Sequence, residues 1–295
     1  MTSVTIIGVG RVGGAMAISL GKGGYAIDNL VYRGQALFTP VAENCVSKPN
    51  VIRFEDLQDV SSDVILITTQ DSEIAGVSAV LAARVFNKPF VFHTSGSFSS
   101  AVLSDLKAVG CRTGSIHPLV SISSPELGVE RFRGSYFCVE GEPEAVVMAK
   151  QIVADLGGIS FSIDTKYKTL YHASAVTACG HLVALFDASV EMMTKCGLDA
   201  EEAKKILLPL LRSTVQNLDE QPTSAALTGT FARADLETFN EHLKALNENV
   251  SDELLEIYLL LGERSLELAS RQGVSAEKIE SLRAKVSIAK SKIKW

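Results

Sequence analysis

Several things are missing from this chain of 295 residues, and each absence narrows what it does. There is no basic surplus: 28 Lys and Arg stand against 34 Asp and Glu, a net charge of −6. Without a basic patch or a polybasic run, neither nucleic acid nor an anionic membrane surface is an expected partner. No stretch offers the roughly eighteen uninterrupted apolar residues that mark a membrane span, so no membrane partner is expected. The apolar N-terminus has no basic start and runs straight into a glycine-rich turn, so it reads as part of the fold and not as a secretion signal. The five cysteines, Cys45, Cys111, Cys138, Cys179 and Cys196, are odd in number and scattered. No C-x-x-C pair and no Cys/His cluster with zinc spacing occurs, so no metal is expected, and reduced thiols in a cytoplasmic protein are the simplest reading. Internal repeats and low-complexity segments are also missing. What remains is globular, 46% hydrophobic and 21% charged, with enough length for one large or two ordinary domains and a sizeable core.

The most informative segment is at the start. A β-branched run over residues 4–7 leads into Gly8-Val9-Gly10-Arg11-Val12-Gly13. This is G-x-G-x-x-G after a strand and at the opening of a helix, followed by a further strand near residues 29–32. Gly8 suits the tight turn, Gly10 lets a pyrophosphate approach the backbone, and Gly13 lets the helix pack on the strand. The first N–H groups of that helix, those of Arg11 and Val12 among them, would face the anion with the dipole in the favourable sense. A glycine-rich turn in an ordinary α/β protein is the blander alternative. The second strand ends at Tyr32 and Arg33 with no acid at its tip, and Asp28 lies at its other end. An Asp or Glu there accepts the ribose 2′-OH of NAD, whereas an Arg suits a 2′-phosphate. Arg33, planar and always charged, with Arg11 beside it, therefore predicts NADP(H) rather than NAD(H); a solvated surface arginine would look the same.

Strand and helix signals alternate through the first half, the pattern of a parallel sheet with crossover helices. Strands are expected near residues 51–54, 63–69, 89–94, 112–117, 136–140 and 159–163, with helices over 72–84, 99–109 and 143–156. From about residue 165 the pattern is almost wholly helical. A long apolar helix is expected over 168–195, then one from Asp199 to about residue 217 that Pro209 bends, a loop over 219–234, helices over 235–247 and 251–272, and an exposed Lys-rich amphipathic tail over 275–295. This gives two domains, 1–164 and 165–295.

Ligands of open α/β sheets lie outside the carboxyl ends of the strands. The candidates there are Thr69, Gln70 and Asp71 after the fourth strand, Thr94 and Ser95 in His93-Thr94-Ser95-Gly96-Ser97 after the fifth, and His117 before Pro118 after the sixth. These loops should line the nicotinamide half of a dinucleotide. His117 can give or take the proton that accompanies hydride transfer, although a capping or core histidine would sit as well beside a proline. Ser95 has no evident partner base and is better suited to orienting a ligand than to attacking one. A second cluster opens the helical half. Lys168 and His172 are four apart and share a helix face, where they could polarise a carbonyl or imine and protonate the product; a solvated first turn is the alternative. His181 falls on the opposite side and reads as a core or interface residue. A third cluster, Leu227-Thr228-Gly229-Thr230-Phe231-Ala232-Arg233-Ala234-Asp235 with His242 beyond it, either touches ligand or pins the next helix.

The joint order of these clusters resembles one family, the Rossmann-like proteins whose C-terminal half is a helical domain of unknown function. Its members often carry provisional labels as NADP oxidoreductases and are similar to pyrroline-5-carboxylate reductase and the deazaflavin-dependent NADP reductases. The resemblance covers nearly the whole chain. It implies an α/β Rossmann dinucleotide-binding domain followed by an all-α, 6-phosphogluconate-dehydrogenase-like domain that often dimerises. Prephenate dehydrogenases carry a catalytic histidine in a His-Pro-Met motif, which His117-Pro118-Leu119 resembles, although Val120 and Ser121 stand where a glycine normally follows. The β-hydroxyacid dehydrogenases place Lys and Asn four apart where this chain has Lys168 and His172, and Gly180 stands where the favoured family tends to have Asn.

Together these readings predict an NADPH-dependent oxidoreductase that reduces a small carbonyl or imine compound between its two halves, as a homodimer through the helical domain. His117, Lys168, His172 and Ser95 are the candidate catalytic set. Gly8, Gly10, Arg11, Val12, Gly13, Arg33, Thr69, Gln70, Asp71, Thr94 and Ser95 are the candidate cofactor set. The alternatives are a non-catalytic sensor or scaffold that binds NADP(H), and a prephenate-type dehydrogenase.

Overall fold

A β-branched run starts the chain, and in the computed structural model, which describes residues 1–33 and 38–293, it forms a central strand. Gly34 and Gln35, at the tip after the second strand, and the last two residues of the tail lie outside the described residues. The strands are β1 (Ser3–Ile7), β2 (Ala26–Tyr32), β3 (Asn50–Arg53), β4 (Val64–Ile67), β5 (Phe90–His93), β6 (Arg112–Pro118), β7 (Tyr136–Gly141) and β8 (Ile159–Phe161). They lie in the order β3-β2-β1-β4-β5-β6-β7-β8. The first six are parallel neighbours in the doubly wound order, so the N-terminal part is the expected Rossmann-like sheet. Helices α1 (Arg11–Lys22), α2 (Phe38–Asn44), α3 (Asp71–Ala82), α4 (Ser104–Ala108), α5 (Pro125–Arg131) and α6 (Pro143–Asp155) connect them.

The core strands are buried on both faces, as parallel strands must be. Val4, Ile6, Val64 and Leu66 point into one apolar cluster with α1 and α6. Ile7, Ile65 and Ile67, one residue out of phase, point into a second with α3 and α4. One strand departs from the all-parallel pattern: β7 runs antiparallel to β6, with Pro118 opposite Phe137 and Ser115 opposite Glu140. The chain leaves β6 at the carboxyl end of the sheet and re-enters from the same end, so the connection carrying α5 stays there. Gly14 and Gly128 let α5 lie close on α1, and Pro125 comes near the glycine loop as a result.

Helices α7 (Lys168–Lys195), α8 (Ala200–Glu220), α9 (Thr223–Ala226), α10 (Leu236–Asn249), α11 (Asp252–Arg271) and α12 (Ala276–Lys290) follow. Asp199, Asp235 and Ser251 cap α8, α10 and α11 by accepting backbone N–H bonds, the expected chemistry of a helix start. Helix α8 continues through Pro209 to Glu220. The expected 219–234 loop contains α9 and a short turn of helix over Phe231–Arg233. The tail is less exposed than its lysines suggest, because Ile279, Leu282 and Val286 of α12 enter the core formed by Phe239, Leu259 and Leu266.

The chain divides into two compact units, Met1–Cys179 and Gly180–Trp295. The division falls inside α7, beyond the boundary that the change of pattern at Asp164 suggests, because the first turns of α7 pack on β6 and β7. The segment Thr165–Lys195 is long and apolar enough to cross a membrane by length and composition, and little of it is buried. Its uncovered apolar residues include Val183, 67% exposed, and α8 adds Leu210, 64% exposed.

Candidate functional site

Two clusters stand at the carboxyl end of the first unit's sheet. The first is the glycine loop. Gly8 has φ +102°, and a Cβ there would lie 2.8 Å from the Thr69 backbone nitrogen. A Cβ on Gly13 would lie 2.3 Å from the Gly8 carbonyl oxygen and from Thr68 Oγ1, and Thr68 Oγ1 itself donates to the Gly8 carbonyl at 2.6 Å. Neither position tolerates a side chain. Gly10 differs, since a Cβ there would meet nothing within 4 Å; it faces the opening. The loop borders a cavity of about 370 Å³ lined by Gly8, Gly10, Arg11, Arg33, Thr69 and Gln70 from the expected cofactor set.

The cavity suits a dinucleotide. Helix α1 opens with no side-chain cap and no acid in its first turn, so its unpaired N–H groups and positive dipole end are left for an anion. Thr69 Oγ1 is buried without a hydrogen-bond partner, which leaves it available to a ligand. Gly13 supports the loop from behind and Val12 packs against the core beneath it. Arg33 stands at the end of β2 with its guanidinium 4.2 Å above the Phe54 ring and 3.3 Å from Glu73 Oε1. Phe54, Glu73 and Pro125 also line the cavity, and sequence reading did not single them out. Phe54 and Pro125 reach it through chain crossings, and Glu73 looks like any acid in the first turn of a helix.

The second cluster is built from β5, β6, β7 and the first turns of α7. Ser95 is buried and its hydroxyl is fully used: it donates to Asp71 Oδ2 at 2.8 Å and accepts from the N–H groups of Ser97 and Phe98, both at 3.1 Å. It therefore shapes the loop after β5 and ties it to α3. His93 is also buried, with Nδ1 accepting the Ser95 N–H at 3.2 Å. Burial, aided by the nearby Lys168 charge, pushes the His93 pKa down to about 3, so the ring is neutral.

His117 and His172 flank Gly96. A Cβ on Gly96 would lie 2.5 Å from His172 Cδ2 and 2.8 Å from His117 Nε2, so the absent side chain is what admits both rings. Their centroids are 5.7 Å apart, edge to face. His117 Nδ1 shares a 2.7 Å hydrogen bond with the Tyr171 hydroxyl, and His172 Nδ1 shares one of 2.9 Å with Ser97 Oγ. Burial, followed by the charges of His172 and Lys168, lowers the His117 pKa to about 4. Burial raises that of Tyr171. Thr94, the remaining candidate of this loop, continues the strand line by donating its N–H to the Ile67 carbonyl at 3.1 Å.

Lys168 is 1% exposed. Its Nζ donates to Ser115 Oγ at 2.7 Å and to Glu140 Oε1 at 3.3 Å. Ser115 and Glu140 are direct cross-strand partners on β6 and β7, so the antiparallel pairing assembles the seat on which Lys168 rests. Glu140, 7% exposed, also accepts from the Ser100 N–H and Oγ, both at 2.8 Å. Burial lowers the Lys168 pKa, and the Glu140 carboxylate opposes that shift. An ammonium so enclosed is part of the floor of the site and not a free group facing a ligand, which departs from the direct acceptor-polarising role its spacing suggests. Glu140 escaped the sequence reading. The available signal was a lone acid ending the apolar strand 136–140.

The other singled-out residues belong to the second unit. His181 is exposed. Arg233 stands 3.9 Å from Asp235, Asp235 caps α10, and His242 bonds the Tyr258 hydroxyl at 2.8 Å. Those contacts all fall within the second unit.

Comparison with known proteins agrees with the two-part reading. Residues 1–118 match the Rossmann-like domain family, and residues 135–265 match the domain of unknown function DUF2520. No protein of curated function matches the sequence. Among solved structures, a Bacteroides fragilis protein provisionally named an NADP oxidoreductase superposes with a TM-score of 0.71 at 21% identity, over 90% of this chain and 98% of that one. An Aspergillus terreus reductive aminase in complex with NADPH gives 0.53 at 19% identity, over 98% and 93%. A Plasmodium falciparum pyrroline carboxylate reductase with NADP bound gives 0.52 at 14% identity, over 91% and 98%. At these identities the likeness is one of fold. The chain belongs to the proteins that join a Rossmann-like domain to this helical domain of unknown function, the family its motifs resemble.

Proposed function

We propose that the protein is an NADPH-dependent reductase of a small carbonyl or imine compound. The observation that carries this reading is the juxtaposition, at one end of one sheet, of a glycine-loop cavity edged by Arg11 and Arg33 with a cluster of two imidazoles, a tyrosine and a seryl hydroxyl. Gly8, Gly10 and the α1 N-terminus would hold the pyrophosphate, Arg33 the 2′-phosphate, and Thr69 a polar group of the cofactor. NADPH supplies the hydride when bound. The chain's own residues would manage the proton. His172, oriented by Ser97, is the candidate donor to the developing alkoxide or amine nitrogen. His117, held neutral and bonded to Tyr171, would orient the acceptor, and solvent water reaching the half-exposed His172 would restore the donated proton. Lys168, Glu140, Ser115 and Ser95 would fix the floor on which these groups stand.

The test is calorimetric titration with NADPH and NADH, followed by a metabolite-extract screen for NADPH oxidation. Tight NADPH binding with turnover is expected; binding of neither nucleotide overturns the reading. Binding without turnover from any extract would favour the sensor alternative, which draws support from the enclosure of Lys168. We also propose a homodimer in which a second copy covers the apolar surfaces of α7 and α8, since exposed patches of this kind mark association sites. Light scattering is expected to give twice the chain mass, and a monomer overturns it.

A further inference from the structure

One charged group in the glycine-loop cavity has no part in the proposed reaction. Glu73, in the first turn of α3, is the single carboxylate among the described residues lining the cavity, where it meets Arg33; Arg11 shares the lining. An acid at a helix start is ordinary, because it complements the dipole. Its placement beside Arg33 is not explained that way. The Arg33 guanidinium lies over the Phe54 ring, 4.2 Å from its centroid. One edge is left to meet Glu73, with Nη1 and Oε1 3.3 Å apart and both side chains partly exposed, 41% and 36%. A single contact of this kind in solvent is weak and easily exchanged.

We infer that Glu73 tunes cofactor choice: its carboxylate competes with a 2′-phosphate for the edge of Arg33 and can itself accept a hydrogen bond from a ribose 2′-hydroxyl. The inference rests on the reading of this cavity as a dinucleotide site and deepens it. A 2′-phosphate arriving at Arg33 must displace Glu73 and then remain within a few ångströms of its negative charge, a repulsion that only salt screens. A dinucleotide without that phosphate meets no such penalty and gains an acceptor. The wild-type chain is therefore expected to prefer NADPH by less than Arg33 alone would dictate, and to keep measurable affinity for NADH.

The experiment is calorimetric titration of the full chain and of its Glu73→Gln and Glu73→Ala variants with NADPH and NADH, at low and high salt. Glutamine keeps the shape and an acceptor oxygen but removes the charge. The affinity ratio in favour of NADPH is expected to rise about three- to tenfold in Glu73→Gln, through tighter NADPH binding, with the gain shrinking at high salt. Glu73→Ala is expected to show the same gain and also to bind NADH more weakly. An unchanged or reduced ratio in both variants, with the wild type binding NADPH, overturns the role of Glu73 and leaves the dinucleotide reading standing. A wild type that binds neither nucleotide overturns both.

Discussion

Two acid–base pairs stand at the carboxyl end of the same sheet and behave oppositely. Arg33 and Glu73 meet at 3.3 Å with both side chains in contact with solvent. Lys168 and Glu140 meet at the same 3.3 Å but are almost wholly buried. Distance alone does not distinguish them; environment does. An exposed pair contributes about 0–1 kcal/mol and exchanges partners freely, which suits the edge of a ligand cavity. A buried pair has lost its hydration, and each charge depends on the other. The glycine-loop half of the candidate site is thus built from groups that can let go, and the histidine half from groups that cannot.

The sharpest way to break this contrast is to remove one buried partner. Lys168→Met or Glu140→Leu alone is expected to cost about 3–5 kcal/mol in urea unfolding, because each strands a buried charge. The double variant should recover much of that loss. A single replacement that costs less than about 1 kcal/mol would erase the difference between the two pairs.

Acid should act on the same half. His93 and His117 are held neutral by burial, with folded pKa values of about 3 and about 4 against 6.5 for the free side chain. Between those values the unfolded chain binds more protons than the folded one. Stability is therefore fully present above pH 6.5 and is lost as pH falls toward 4 and then 3. The His117 contribution is on the order of 3 kcal/mol. Unfolding midpoints measured from pH 7.5 to 4.5 should fall with pH, and less steeply in His117→Gln. A flat profile would contradict the burial argument.

Gly96→Ala tests the geometry between the two histidines. The new methyl would sit 2.5 Å from His172 Cδ2, so a ring must move. We expect a stability loss of about 1–3 kcal/mol, NADPH affinity within twofold of wild type, and turnover down by ~10-fold or more. Unaltered turnover would remove His117 and His172 from the proposed proton transfer.

The exposed half should respond through ligand and hardly through stability. Arg33→Asp is expected to change the unfolding free energy by less than about 0.5 kcal/mol. It should weaken NADPH by roughly 10- to 100-fold, since a charge-assisted pair with phosphate is lost, and NADH much less. Equal loss of both nucleotides would mean that Arg33 does not read the 2′-phosphate.

The positions of most strands and helices follow from local pattern, and so does the strand-turn-helix at Gly8 to Gly13. Short β-branched and apolar runs, a glycine at φ +102° and capping residues such as Asp199 and Ser251 act over a few residues, so their signal stays in the sequence. The shared edge of the loops after β4, β5 and β6 was legible for a related reason: the carboxyl ends of parallel strands lie on one side of the sheet. Which groups in those loops are free was not legible. Ser95 reads as an orienting hydroxyl until its three hydrogen bonds are seen, and Lys168 as a free cation until it is found seated on Ser115 and Glu140.

The sequence by itself therefore determined the Rossmann-like sheet, the helical C-terminal part, the glycine loop and the candidate cations and histidines. Only the tertiary structure decided that β7 turns back against β6, placing Glu140 opposite Ser115 and under Lys168, and that Phe54, Glu73 and Pro125 meet at the glycine-loop cavity. The physical reason is separation along the chain. Lys168 stands 28 residues from Glu140 and 53 from Ser115. No local propensity reports which distant charges will share a low-dielectric interior, and that sharing decides which of them can act.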